Sequence, residues 1–127
     1  MIGSTRAVRV WAYPAPCDLR KAYNGLFGLV ATALGRDPLS GDFFLFCNRR
    51  RTSCKVLLYD GTGLCIYMKR LEGRRFAKLW GRDNGADAIE LTSTELALFL
   101  EGCNLVGRQQ LSPPPVSARP VDAGSRL

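Results

Sequence analysis

From Arg6 to Tyr13 the chain alternates, with Val8, Val10 and Ala12 against Arg9, Trp11 and Tyr13, and Pro14 stops the run. A period of two with a proline terminator predicts a strand. After the Pro14-Ala15-Pro16 break, apolar Leu19, Tyr23, Leu26, Val30 and Leu34 recur at spacings of three and four. These residues share one helical face, so one long helix is predicted from Cys17 or Asp18 to Leu34, with Gly35 as its left-handed stop. Gly25 and Gly28 fall inside it, each costing about 0.8–1 kcal/mol relative to Ala, and close packing on a sheet is the expected compensation.

Past the Pro38-Leu39-Ser40-Gly41 turn the period returns to two. Phe43 to Cys47, Lys55 to Tyr59 and Leu64 to Lys69 read as three strands, joined by Asn48 to Ser53 and by Asp60-Gly61-Thr62-Gly63, which has hairpin chemistry. Short connectors between neighbours predict an antiparallel meander. If Tyr59 pairs with Leu64, Leu57 faces Ile66 and Lys55 faces Met68, while Val56, Leu58, Cys65 and Tyr67 point the other way. Both faces are then apolar. One should take the helix, and the other needs the first strand, the C-terminal helix or a partner chain.

Residues 70–88 are polar and irregular, with Phe76, Leu79 and Trp80 as anchors. Thr92-Ser93-Thr94-Glu95 matches a capping box, and Leu96, Phe99, Leu100 and Cys103 follow at helical spacing, with Gly102 near the end. From Gly107 the chain turns Pro- and Ser-rich. The pattern therefore predicts an α+β fold, an antiparallel β-meander packed against one long helix, with a short C-terminal helix. It forms one domain over residues 1–106, and residues 107–127 are a disordered Pro-rich tail. At 127 residues, 46% hydrophobic and 23% charged, the chain is long enough for one small core.

Charge changes the picture more than composition does. The net charge is +7, but residues 49–82 hold ten basic side chains against Asp60 and Glu72, while residues 83–127 are net acidic. In a meander the first connector and the end of the third strand lie at one sheet edge, so Arg49, Arg50, Arg51 and Lys55 approach Lys69, Arg70, Arg74, Arg75 and, further on, Lys78. Cations within a few strand spacings of about 4.8 Å repel one another unless solvated or neutralised, and such a patch attracts polyanions. These nine residues are the candidate nucleic-acid-binding set, assigned to phosphate contact. Tyr59, Tyr67, Phe76 and Trp80 are interleaved with them and read as core or rim packing before base-stacking.

Other chemistry is thinly supplied. The chain has no His, which removes Ser-His-Asp and Cys-His catalysis and His-dependent zinc sites. Its five cysteines include no C-x-x-C pair and read as small buried hydrophobes in a reducing compartment. Cys54, near Arg51 and Lys55, is the one thiol with a case for a lowered pKa, although an inert buried thiol is the simpler reading. Asp42 and Asp60 share the edge opposite the arginines, where both are also explained as turn residues. Gly61 and Gly63 lack a P-loop pattern. No catalytic residue, metal ligand or cofactor is expected. Neither a signal sequence nor a membrane span is read, so a cytoplasmic protein is expected.

In order, Asp18 to Leu26, Gly35-Arg36-Asp37-Pro38-Leu39-Ser40-Gly41, Phe46 to Thr52, Tyr59 to Leu64, Lys69-Arg70-Leu71-Glu72 and Leu96 to Gly102 resemble the TnpB accessory proteins of insertion sequences of the IS sixty-six type. The resemblance runs from about Val8 to Leu105. It departs at Tyr59, where the family often has Trp, and at Phe76 to Trp80, which replaces a tighter Trp-Pro ending. It implies a mobile-element protein needed for transposition without itself cutting DNA, unlike the much longer RNA-guided nucleases of the same name. The implied partners are DNA, the transposase and a second small accessory protein. Two roles stay open: a DNA-binding accessory factor, or an adaptor that docks the transposase through an apolar sheet face or the Pro113-Pro114-Pro115 tail.

Overall fold

The structure is a computed structural model that describes residues 7–81 and 88–103. Five strands form one mixed sheet: β1 (Val10–Ala12), β2 (Phe43–Cys47), β3 (Ser53–Tyr59), β4 (Leu64–Arg70) and β5 (Ile89–Leu91), in the order β4-β3-β2-β1-β5. The β2-β3-β4 meander forms in the expected register, with Tyr59 opposite Leu64, Leu57 opposite Ile66 and Lys55 opposite Met68. The sheet is larger than a meander. β1 lies beside β2 in parallel, Val10 opposite Phe43, and β5 pairs antiparallel with β1. A parallel neighbour needs a crossover, which the segment from Tyr13 to Asp42 supplies with a helix.

That helix is the main departure from expectation. Instead of one long helix from Cys17 or Asp18, α1 spans Tyr23–Gly28 and continues as a π-turn over Leu29–Ala33, eleven residues in all. Two interactions shorten its start. The Asp18 carboxylate accepts from the Arg20 amide and guanidinium, closing a local turn. The Lys21 carbonyl, which a continuous helix would give to the Gly25 amide, instead accepts from the Lys55 ammonium at 2.8 Å. At the far end the Thr32 hydroxyl bonds the Gly28 carbonyl at 2.6 Å, Leu34 reaches back to Leu29, and Gly35 stops the chain at φ +63°. Packing on a sheet does not explain the helix glycines. A Cβ at Gly25 would meet the Lys21 side chain, and one at Gly28 would meet nothing.

Each sheet face has its own core. Trp11, Phe44, Phe46 and Leu57 pack against Leu26 and Val30 of α1. On the opposite face Val10, Ala12, Leu45, Cys47, Cys54, Val56 and Leu91 pack against Leu96 and Phe99 of α2 (Ser93–Leu100) and against Phe76, Ala77 and Leu79. Two covered faces explain why Val10, Trp11 and Ala12 are all buried despite their alternation. The capping box forms as the sequence predicts: Thr92 Oγ1 accepts from the Glu95 amide at 3.0 Å, and Glu95 Oε1 from the Thr92 amide at 2.8 Å. The tail expected over residues 107–127 lies outside the described residues.

Candidate nucleic-acid interface

The rim is built from the β2-β3 hairpin. Asn48 opens the turn: its carbonyl accepts from the Arg51 amide at 3.0 Å, and its Oδ1 accepts from the Thr52 and Ser53 amides. Asn at the first position of a turn organises the amides that follow it. Arg49 and Arg50 are thereby set at the tip, both exposed. Arg51 takes φ +60°, a left-handed conformation costing a non-glycine residue of order 1–3 kcal/mol. Two bonds to Phe76 offset that cost: the Phe76 amide donates to the Arg51 carbonyl at 2.7 Å, and Arg51 Nη1 donates to the Phe76 carbonyl at 3.1 Å. Phe76 is fully buried, so the core anchors the loop.

The two cationic stretches meet. Ser53 pairs with Arg70 and Cys54 with Lys69, and the Leu71 amide donates to the Thr52 carbonyl at 2.9 Å. Within this rim the nine candidate residues divide. Lys55 Nζ bonds the Lys21 carbonyl, Lys69 Nζ the Leu100 carbonyl at 2.7 Å, Arg74 Nη2 the Gly102 carbonyl at 3.3 Å, and Arg51 the Phe76 carbonyl. Arg70 pairs with Glu72 at 3.0 Å with both side chains largely exposed, a contact that is weak and readily exchanged. Arg49, Arg50, Arg75 and Lys78 are exposed and have no hydrogen-bond or ion-pair partner among the described residues. Lys78 is two residues past Phe76, hence within about 7 Å of chain from the rim.

Carbonyl bonding satisfies the four inner cations as donors without cancelling their charge. They fasten the hairpin, β4 and α2 together, whereas the outer four make no such bond among the described residues. Lys55 gives the sharpest contrast, because it is buried and ties the start of α1 to the sheet. Lys55→Ala is expected to lower stability by about 1.5–3 kcal/mol, the range for a hydrogen bond from a charged group. Arg49→Ala should stay within about 0.5 kcal/mol of the parent. Urea unfolding of both variants measures the difference.

The sequence did not reveal the other wall of this site. An open groove of about 1090 Å³ is lined by Pro16 to Arg20 from one part of the sequence and by Asn48, Arg49, Arg50, Thr52, Ser53 and Met68 from another. Arg20 is 92% exposed while pairing with Asp18, whose carboxyl the guanidinium holds well below the usual carboxylate range. The only signal for it was the cluster Asp18-Leu19-Arg20-Lys21, which helical periodicity absorbed.

The remaining candidates are structural. Asp42 accepts from Trp11 Nε1 and from the Arg9 amide, both at 3.2 Å. Asp60 accepts from the Thr62 and Gly63 amides, which bring its carboxyl down to about 2. Among the described residues no group of three or more Cys, Asp or Glu is arranged to hold a metal. Burial pushes the Cys54 thiol up to about 12, the opposite of an activated nucleophile. Phe76 and Leu79 are core, Trp80 packs against it, and Tyr59 bonds the Gly61 carbonyl, leaving Tyr67 as the exposed aromatic of the interleaved four. Among the described residues no helix is long and apolar enough to cross a membrane.

A small α+β domain with a cationic hairpin rim is the class that this geometry defines. Residues 8–110 match the family described as IS66 Orf2 like protein, and the chain belongs to that family. It is 33% identical over 102 residues to Sinorhizobium fredii protein y4jC, covering 80% of this chain and 85% of that one. It is 34% identical over 102 residues to protein y4hO of the same organism, covering 80% and 86%. No solved structure matches. The family is one of insertion-sequence accessory proteins, as the resemblance of the sequence blocks implies.

Proposed function

We propose that the protein is a non-catalytic accessory factor of transposition that grips DNA phosphates with its hairpin rim. The observation that carries this reading is the division of the cations. Arg49 and Arg50 project from a turn anchored to the core, with Arg75 and Lys78 on the neighbouring segment, and none of the four has a partner among the described residues. Four such cations beside four more satisfied only by neutral carbonyls make a field that attracts a polyanion. Arg49 and Arg50 are the residues assigned to first contact, and Arg70 joins them by exchanging Glu72 for phosphate. The rim reads charge and shape, because among the described residues no helix places a polar base-reading face beside it.

The role of the grip is to position element ends or the transposase on DNA, in the cytoplasm, with the transposase and the second small accessory protein as the other partners. The adaptor reading, in which the chain docks the transposase without DNA, makes a different prediction in one assay. Pull-down of the tagged full chain from cells carrying the whole element, with and without nuclease, is expected to show transposase association that nuclease abolishes. Association that resists nuclease, with no DNA recovered, would establish the adaptor instead.

A further inference from the structure

β4 is an edge of the sheet, and its outer side is paired by no described residue. Sheets usually protect such an edge with Pro, a bulge, short length or charges along it. β4 is seven residues long and in unbroken register with β3; its first five positions, Leu64-Cys65-Ile66-Tyr67-Met68, carry no charge, Pro or Gly. Tyr67 and Met68, exposed by 50% and 55%, are consecutive on it and point to opposite faces. The other edge, β5, has only three residues.

The hydrogen bonds say which groups are available. Asp60 N–H donates to the Gly63 carbonyl, and Leu71 N–H to the Thr52 carbonyl. Antiparallel alternation from those two points turns the backbone groups of Cys65, Tyr67 and Lys69 toward β3 and those of Leu64, Ile66, Met68 and Arg70 outward. We propose that two copies of this chain pair antiparallel through β4 about a two-fold axis at Tyr67, joining their sheets into one. In that register Leu64 lies opposite Arg70 of the second copy and Ile66 opposite Met68, so every outward donor meets an acceptor, about eight hydrogen bonds in all.

Charge selects this occupant and this direction. Parallel pairing would set Lys69 and Arg70 beside their own copies, where like charges destabilise. Antiparallel pairing sets them beside Cys65 and Leu64 and brings the ionised Asp60 end of one copy toward the Arg70 end of the other. On one face Tyr67 meets Tyr67 at a non-hydrogen-bonded position, where side chains come closest. On the other, Ile66 covers the exposed Met68. The two rims then stand at opposite ends of the joined sheet. This pairing does not depend on what the rims bind.

Sedimentation equilibrium of the full chain over the micromolar range is expected to give twice its 14.0 kDa mass. Met68→Pro removes one outward amide that β3 does not use, and should give a folded monomer whose unfolding midpoint, unlike the parent's, does not rise with protein concentration. Should Met68→Pro fail to fold, cross-linking decides. In a background with Cys65 and Cys103 replaced by Ser, Tyr67→Cys should give a covalent dimer under copper-phenanthroline and air, two thiols passing two electrons and two protons to oxygen. Cα atoms at a non-hydrogen-bonded pair are about 4.5 Å apart, within disulfide range. Met68→Cys in the same background should cross-link at least tenfold less, since the axis offsets it from its own copy. A monomer at every concentration, a dimer that survives Met68→Pro, or stronger cross-linking through Met68→Cys would each overturn the proposal.

Discussion

Replacing Arg49, Arg50, Arg75 and Lys78 together with Ala is expected to reduce the salt dependence of DNA binding by nearly four in log–log slope, at about 0.9 for each phosphate no longer neutralised. At low salt the variant should bind at least about a hundredfold more weakly, by a similar factor for every DNA sequence, because phosphate contacts carry no base information. The four side chains are exposed and have no partner among the described residues, so the unfolding midpoint should stay at the parent value. Fluorescence anisotropy with duplexes of different sequence, alongside urea unfolding, measures both parts. The inner set is the control: Lys55→Ala and Lys69→Ala should lower stability, because their ammonium groups hold the Lys21 and Leu100 carbonyls.

The largest effect on stability is expected at Phe76. Its ring is fully buried and stacks on Phe99, with centroids 4.8 Å apart and planes 9° from parallel. Truncating a core Phe to Ala removes transfer free energy and leaves a cavity, about 3–5 kcal/mol together. A domain this small has of order 5–15 kcal/mol to lose, so Phe76→Ala should shift the urea midpoint more than any single rim substitution. DNA binding should weaken as well, because the backbone of Phe76 bonds Arg51 in both directions and holds the hairpin in its left-handed bend. A Phe76→Leu variant keeps most of the buried volume and should recover most of both properties. A midpoint unchanged by Phe76→Ala would mean that the 76–80 segment is not a part of the core.

Features written in neighbouring residues were legible in the sequence: the Asp60-Gly61-Thr62-Gly63 turn, the meander register from Tyr59 opposite Leu64, and the Thr92–Glu95 capping box. The approach of residues 49–55 to residues 69–75 followed from chain reversal alone. Features decided by distant partners were not legible. The start of α1 depends on a Lys55 bond to a carbonyl 34 positions away, so periodicity from Leu19 to Leu34 gave a helix that was too long. β1 joins β2 in parallel through a crossover, and β5 has three residues, too few for a period to register. The rim suffered the same way. Counting cations gave nine candidate phosphate ligands without separating Arg51, Lys69 and Arg74, which bond the carbonyls of Phe76, Leu100 and Gly102, because no rule on local spacing pairs a cation with a remote backbone oxygen.

The division of the cations has a consequence in salt. Nine phosphate contacts and four differ in how steeply affinity falls as salt rises, whereas an adaptor has no such dependence to show. The decisive measurement is the affinity of the unmodified full chain for a duplex as salt rises from about 50 to about 200 mM. Four to five contacts predict a fall of roughly 150- to 500-fold, the same for unrelated sequences. An affinity that is flat across that range, or no binding at its lower end, would contradict the rim as a phosphate grip.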